Sequence, residues 1–247
     1  MRRSKFKTNG VQIFEALRTR QSSLLAGLEL QHSRKELENY DLYVHLQDLM
    51  IQLPFIMESF DTLIRSITRI PERPVLIQLG QLCSRLSAKL HTWNEKLKEQ
   101  VPGQLYWMTP SVAHSPAYHP ILGSVFPLAL QFPNLRIAQL LLLYWSILIM
   151  LYRTVQDIEN RIGRQIANDT KTHHSFDPYA GYKIEPYYGQ RPPSNEIIAL
   201  LANNISQSLE YCYRTTNGTH GPQLASFPLW VAYSFYKSQP ERNMELA

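Results

Sequence analysis

The chain has 247 residues, of which 44% are hydrophobic and 18% charged, with 10 glycines and 16 prolines. That composition supports a sizeable apolar core and excludes a disordered polymer, and scarce glycine with abundant leucine favours helices over sheets. Arg2, Arg3, Lys5 and Lys7 supply four of the five net positive charges, so the body is nearly neutral and carries no duplex-binding footprint.

Taken in order, residues 1–10 read as a basic, disordered arm, and the absence of an apolar run behind it argues against a signal peptide. Val11, Phe14, Leu17, Leu24 and Leu28 predict a first helix over 11–30. Leu42, Leu46, Leu49, Met50 and Leu53 predict a second, closed by Pro54. Ile56, Phe60, Leu63, Ile64 and Ile67 continue the helical pattern until Pro71 and Pro74 break it. The cleanest amphipathic helix covers 75–99, with Leu76, Leu79, Leu82, Leu86, Leu90, Trp93 and Leu97 in register. Residues 101–131 lose this periodicity among prolines and aromatics and read as an ordered irregular connector. No strand alternation is sustained anywhere.

The central helix is predicted over about 133–166, opened by Pro133 and the N-cap Asn134. Between Arg136 and Arg153 lie 16 residues without a charge. A helix apolar around its whole circumference is buried in a core or in a membrane. Crossing a hydrocarbon layer takes about 20 apolar residues, so the 137–152 segment reads as a buried spine. Membrane association through it is the alternative. Residues 168–193 form a second irregular segment. Ser194 caps a helix carrying Ile198, Leu201, Ile205, Leu209 and Tyr213, which ends at Asn217-Gly218. The last helix starts at Gly221-Pro222, and Pro228 is expected to kink it. Pro240 opens what reads as one further helix.

The expected architecture is therefore all-α: a helical body over 11–247, with about six to eight helices around the central one. No reaction is specified by it. His114, His119, His173 and His174 lie in two irregular segments without the local spacing of a metal site. Tyr179 and Lys183 match a dehydrogenase spacing, but no glycine-rich dinucleotide turn accompanies them. Cys83 and Cys212 fall on apolar helix sides and read as small buried hydrophobes. No enzyme activity, cofactor or metal is expected. If the aromatic residues line an effector pocket, Trp107, Trp145, Tyr152, Trp230 and Phe235 are the candidates.

Several phrases occur together: LQDLMIQLPFIM (46–57), LHTWNEKL (90–97), LYWMTPS (105–111), FPNLRIAQLLLLYWSILIMLYRT (132–154) and SLEYCYRTTNGTHGPQLASFPLWVAYSFY (208–236). In this order they resemble the regulatory region of fungal transcription factors that carry a six-cysteine binuclear zinc cluster. The resemblance covers roughly residues 40–240. The chain has only two cysteines, so the zinc cluster is absent and no DNA contacts carry over. The resemblance implies a nuclear, helical regulatory domain without direct DNA binding. Its implied partners are other transcription proteins, a second copy of itself, or a small-molecule effector.

Overall fold

The computed structural model describes residues 2–25, 41–65, 72–112, 126–172 and 193–239. Seven helices occur there: α1 (Arg2–Thr19), α2 (Leu42–Met50), α3 (Gln52–Arg65), α4 (Glu72–Gln100), α5 (Leu135–Thr172), α6 (Asn195–Cys212) and α7 (His220–Lys237). Two short strands, β1 (Trp107–Pro110) and β2 (Leu128–Gln131), pair antiparallel. The chain is all-α around one long apolar helix, as its composition and periodicity imply.

Three sequence boundaries shift, each for a physical reason. Residues 2–10, expected as a disordered arm, form the first half of α1, which stops at Thr19 before a 3-10 turn at Ser22–Leu25. The connector expected as wholly irregular over 101–131 contains both strands, each too short to announce itself by alternation. Pro54 and Pro74 end nothing. Each is the third residue of the helix it occupies, as is Pro222 in α7. The first four N–H groups of a helix have no intrahelical acceptor, so a proline there sacrifices no bond. Pro228, in contrast, lies buried inside α7, and the helix runs on through it without interruption. The central helix starts at Leu135 and extends to Thr172, beyond the predicted end. Residues 173–192 of the second irregular segment and the helix expected after Pro240 lie outside the described residues.

The residues gather into two compact units: Met1–Trp93 with Leu151–Ser194, and Asn94–Met150 with Asn195–Ala247. Composition gives no hint of this division, because two of its three boundaries fall inside α4 and α5; the third lies at the start of α6.

In the first unit, Ile13, Ala16, Leu17, Leu46, Met50, Leu53, Met57, Leu76, Leu86, Leu90 and Trp93 are almost fully buried. Burial of each large apolar side chain contributes about 1.5–3 kcal/mol. Trp93 also satisfies its indole, donating from Nε1 to the Leu42 carbonyl at 2.9 Å. Asp41 caps α2 by accepting from the Tyr43 N–H at 3.0 Å. At the end of α1, Arg20 adopts a left-handed conformation (φ 58°) while the Gln21 N–H returns to the Ala16 carbonyl. Glycine would fit that backbone more easily, at a difference on the order of 1 kcal/mol. The side chain explains the arginine: its guanidinium grips Asp61 in α3 through two bonds of 2.7 and 2.9 Å. Beside it, Ser22 donates from its backbone N–H (2.9 Å) and its hydroxyl to Glu58, which holds that carboxyl below its ordinary range.

In the second unit, the Asn134 side chain caps α5 as expected, accepting from the Ile137 N–H at 3.0 Å. From Ile137 to Ile149 every residue except Gln139 is buried. Ser146, fully buried, donates back to the Leu142 carbonyl at 2.7 Å, so its own hydroxyl is satisfied within the core. Strand pairing sets Trp107 against Gln131 and Pro110 against Leu128, and the Ser111 N–H donates to Pro127 at 2.9 Å. Alternation of bonded and unbonded pairs then turns Met108 and Pro110 away from β2. Proline at that position has no N–H to offer a further strand, which blunts the edge.

The α6–α7 corner closes this unit. Asn217 donates from Nδ2 to the Tyr211 carbonyl at 2.7 Å, a second bond to a carbonyl at the end of α6 that also accepts from the Arg214 N–H at 3.3 Å. Gly218 follows at φ 52°, its N–H bonded to the Thr215 carbonyl at 3.0 Å. Gly221 then passes so close to α6 that an added Cβ would lie 1.8 Å from the Cys212 carbonyl oxygen.

Candidate functional site

The five aromatic residues expected to line a pocket are placed in different surroundings. Trp145 is 4% exposed and packs edge-on against Tyr106, with ring centroids 5.6 Å apart, and against Phe132 at 6.4 Å. Trp107 is 42% exposed. Neighbouring side chains of an extended segment point to opposite faces, so Tyr106, and not Trp107, reaches the Trp145 ring. Trp230 stacks on Phe227 at 6.0 Å, and buried Phe235 meets Tyr236 at 5.6 Å. Tyr152 belongs to the first unit, where its hydroxyl lies 3.2 Å from His91 Nε2 and burial pushes its phenol up.

What the second unit does assemble is a polar clamp between α6 and the sheet. Glu210 accepts from the Ser111 hydroxyl at 2.6 Å and from the Val112 N–H at 3.2 Å. One helical turn on, the Arg214 guanidinium donates to the Gln131 side-chain carbonyl and sits 5.3 Å over the Tyr211 ring. The Gln131 amide donates to Thr109 Oγ1 at 3.0 Å. This buried glutamine is therefore bonded at both ends. Tyr211 completes the clamp through Phe132 at 5.2 Å. Its phenol is pushed up by burial, against the pull of the Arg214 cation.

The clamp fastens a short sheet that leaves apolar side chains exposed, Met108 (55%) and Leu128 (39%) on one face, Trp107 (42%) on the other, and Val112 (78%) just beyond β1. Tyr106, Glu210, Tyr211, Arg214 and Gln131 escape a reading of the sequence. The tyrosines were legible as aromatic residues, but their pairing depends on strand register. The partners Ser111 and Glu210 are 99 positions apart, beyond the reach of any local pattern.

Each clamp member is engaged in a bond or ring contact, the Ser111 hydroxyl with the Glu210 carboxylate. Among the described residues no group of three or more His, Cys, Asp or Glu side chains is placed to hold a metal ion. His114, His119, His173, His174, Tyr179 and Lys183 lie outside the described residues. Cys83 and Cys212 are buried and unpaired with each other, and burial pushes both thiols up to about 12. Neither is a ready nucleophile.

Those thiols give a direct check on both cores. A disulfide-exchange reagent is expected to titrate no thiol in the native chain and two after denaturation. Prompt labelling of native protein would contradict their burial. Raised folded values also fix the alkaline behaviour. Above the ordinary 9.0 the unfolded chain releases thiol protons that the folded chain keeps until about 12. Stability is therefore lost as pH rises through that window, by on the order of 1 kcal/mol per pH unit for each thiol. Cys83→Ala should flatten this dependence.

No known family model, curated protein or solved structure matches this chain. Among the described residues one helix, Leu135–Gln165, is long and apolar enough to cross a membrane, and 78% of its most apolar window is buried inside the protein. That is the pattern of a core helix, and the 16-residue charge-free stretch reads the same way.

Proposed function

We propose that this chain is a regulatory domain acting in the nucleus through contacts with other transcription proteins or a second copy of itself. In this reading it neither catalyses a reaction nor binds DNA directly. The resemblance of its phrases to the regulatory regions of fungal zinc-cluster transcription factors supplies the biological setting. One structural observation supports a contact role: a sheet fastened by Glu210 and Arg214 exposes the apolar side chains of Met108 and Leu128 on one face, Trp107 on the other, and Val112 at its end. Tryptophan and methionine are enriched where proteins meet, and a fixed surface loses little entropy on binding. The most specific phrases also fall on the elements around this sheet. FPNLRIAQLLLLYW provides the Asn134 cap, Phe132 and Trp145, while GPQLASFPLWVA begins α7 with the close contact of Gly221.

The reading is tested by fusing the chain to an unrelated DNA-binding domain in a fungal reporter strain. The fusion is expected to change reporter output severalfold. Trp107→Asp with Met108→Asp should abolish that change while leaving the circular dichroism spectrum intact, since both side chains are exposed. A wild-type fusion that leaves the reporter unchanged would sink the proposal. So would recovery of the chain only in the membrane fraction.

A further inference from the structure

The sequence contains two Asn-Gly pairs, Asn9–Gly10 and Asn217–Gly218. They occupy different settings: the first is inside helix α1, the second in the turn between α6 and α7. Asn-Gly is the dipeptide most prone to self-modification, because no Cβ on the following residue shields its backbone nitrogen. We infer that Asn217 is a deamidation site gated by the α6–α7 corner, and that its conversion unlocks this corner irreversibly.

The chemistry needs no enzyme or cofactor. The Gly218 backbone nitrogen loses its proton and attacks Asn217 Cγ, forming a new N–Cγ bond. The Cγ–Nδ2 bond breaks and ammonia departs with that proton. Water then opens the resulting succinimide at either carbonyl, leaving aspartate or isoaspartate.

In the closed corner both reacting groups are engaged. The Gly218 N–H is bonded to the Thr215 carbonyl at 3.0 Å, and Asn217 Nδ2 to the Tyr211 carbonyl at 2.7 Å. Reaction therefore requires the corner to open, and its rate follows the population of the open state. Once formed, the product carboxylate has no hydrogen to give the Tyr211 carbonyl. One of its oxygens would instead face the Tyr211 carbonyl oxygen, which repels it. The corner has little slack to absorb the change, since Gly221 already abuts the Cys212 carbonyl. This inference does not depend on the function proposed above.

The intact chain is incubated at neutral pH and physiological temperature, with and without guanidinium chloride, and isoaspartate at each Asn-Gly pair is read by peptide mapping. Position 217 is expected to convert about tenfold or more faster in denaturant than in buffer. Gly221→Ala in buffer should approach the denatured rate at position 217 without accelerating position 9. Equal rates at position 217 with and without denaturant would overturn the gating, and no conversion in denaturant would overturn the site. The wild-type comparison decides both points even where Gly221→Ala does not fold. Asn217→Asp places a carboxylate there without the reaction and should lower the denaturation midpoint. An unchanged midpoint would overturn the unlocking.

Discussion

Gly221→Ala is expected to destabilise the chain by about 3 kcal/mol, through a single added methyl group. The reason is local and steric. The new Cβ would lie 1.8 Å from the Cys212 carbonyl oxygen and 2.9 Å from its carbon, and both atoms are backbone. A flexible side chain could move aside, but the last turn of α6 cannot without giving up its own bonds. Relief must come from displacing α7, which costs the buried contacts of Ala225, Phe227, Val231 and Phe235. Two other glycines provide the control. Nothing lies within 4 Å of a Cβ added at Gly80 in α4 or Gly163 in α5. Alanine there should stabilise by about 0.5–1 kcal/mol, because it restricts the unfolded chain and suits a helix interior. Denaturant titration of the three variants checks this. A Gly221→Ala midpoint equal to that of wild type would show that the close approach is not rigid.

Trp145→Asp is expected to abolish the cooperative unfolding transition of the unit it occupies, at a cost of about 4–5 kcal/mol or more. Trp145 is 4% exposed, on the stretch of α5 that is buried almost all round, and it packs against Tyr106 and Phe132. The substitution removes that aromatic packing and places a carboxylate among apolar neighbours without a cation to pair with it. Trp145→Phe keeps a ring in the same place and should lose only about 1–2 kcal/mol. Thermal melts followed by circular dichroism separate the two. A native-like melt for Trp145→Asp would mean that the ring is not part of the core.

What could be seen in the sequence had local causes. Asn134 was recognisable as a cap because its partner, the Ile137 N–H, is three residues away. The amphipathic face of α4 was recognisable because helical spacing alone puts Leu76, Leu79, Leu86, Leu90, Trp93 and Leu97 on the buried side. The same rule misplaced Leu82, which fits the pattern yet is 45% exposed. Periodicity states which residues could share a face, and the neighbour decides how wide the covered face is. Pro54 and Pro74 misled for a related reason. A proline reads as a stop when the chain is scanned forward, but its missing N–H is equally harmless in the first turn of the next helix.

By itself, then, the sequence determined the helices and the burial of 137–152, because propensity, capping and period act over three or four residues. Tertiary structure alone decided the rest. It folded two short strands out of an aperiodic connector and divided the chain within α4 and α5. It joined Ser111 to Glu210 and Gln131 to Arg214, and it set Gly221 against Cys212. Each of these depends on groups brought together by the packing of whole elements, and no local pattern of residue types records where a distant element will lie.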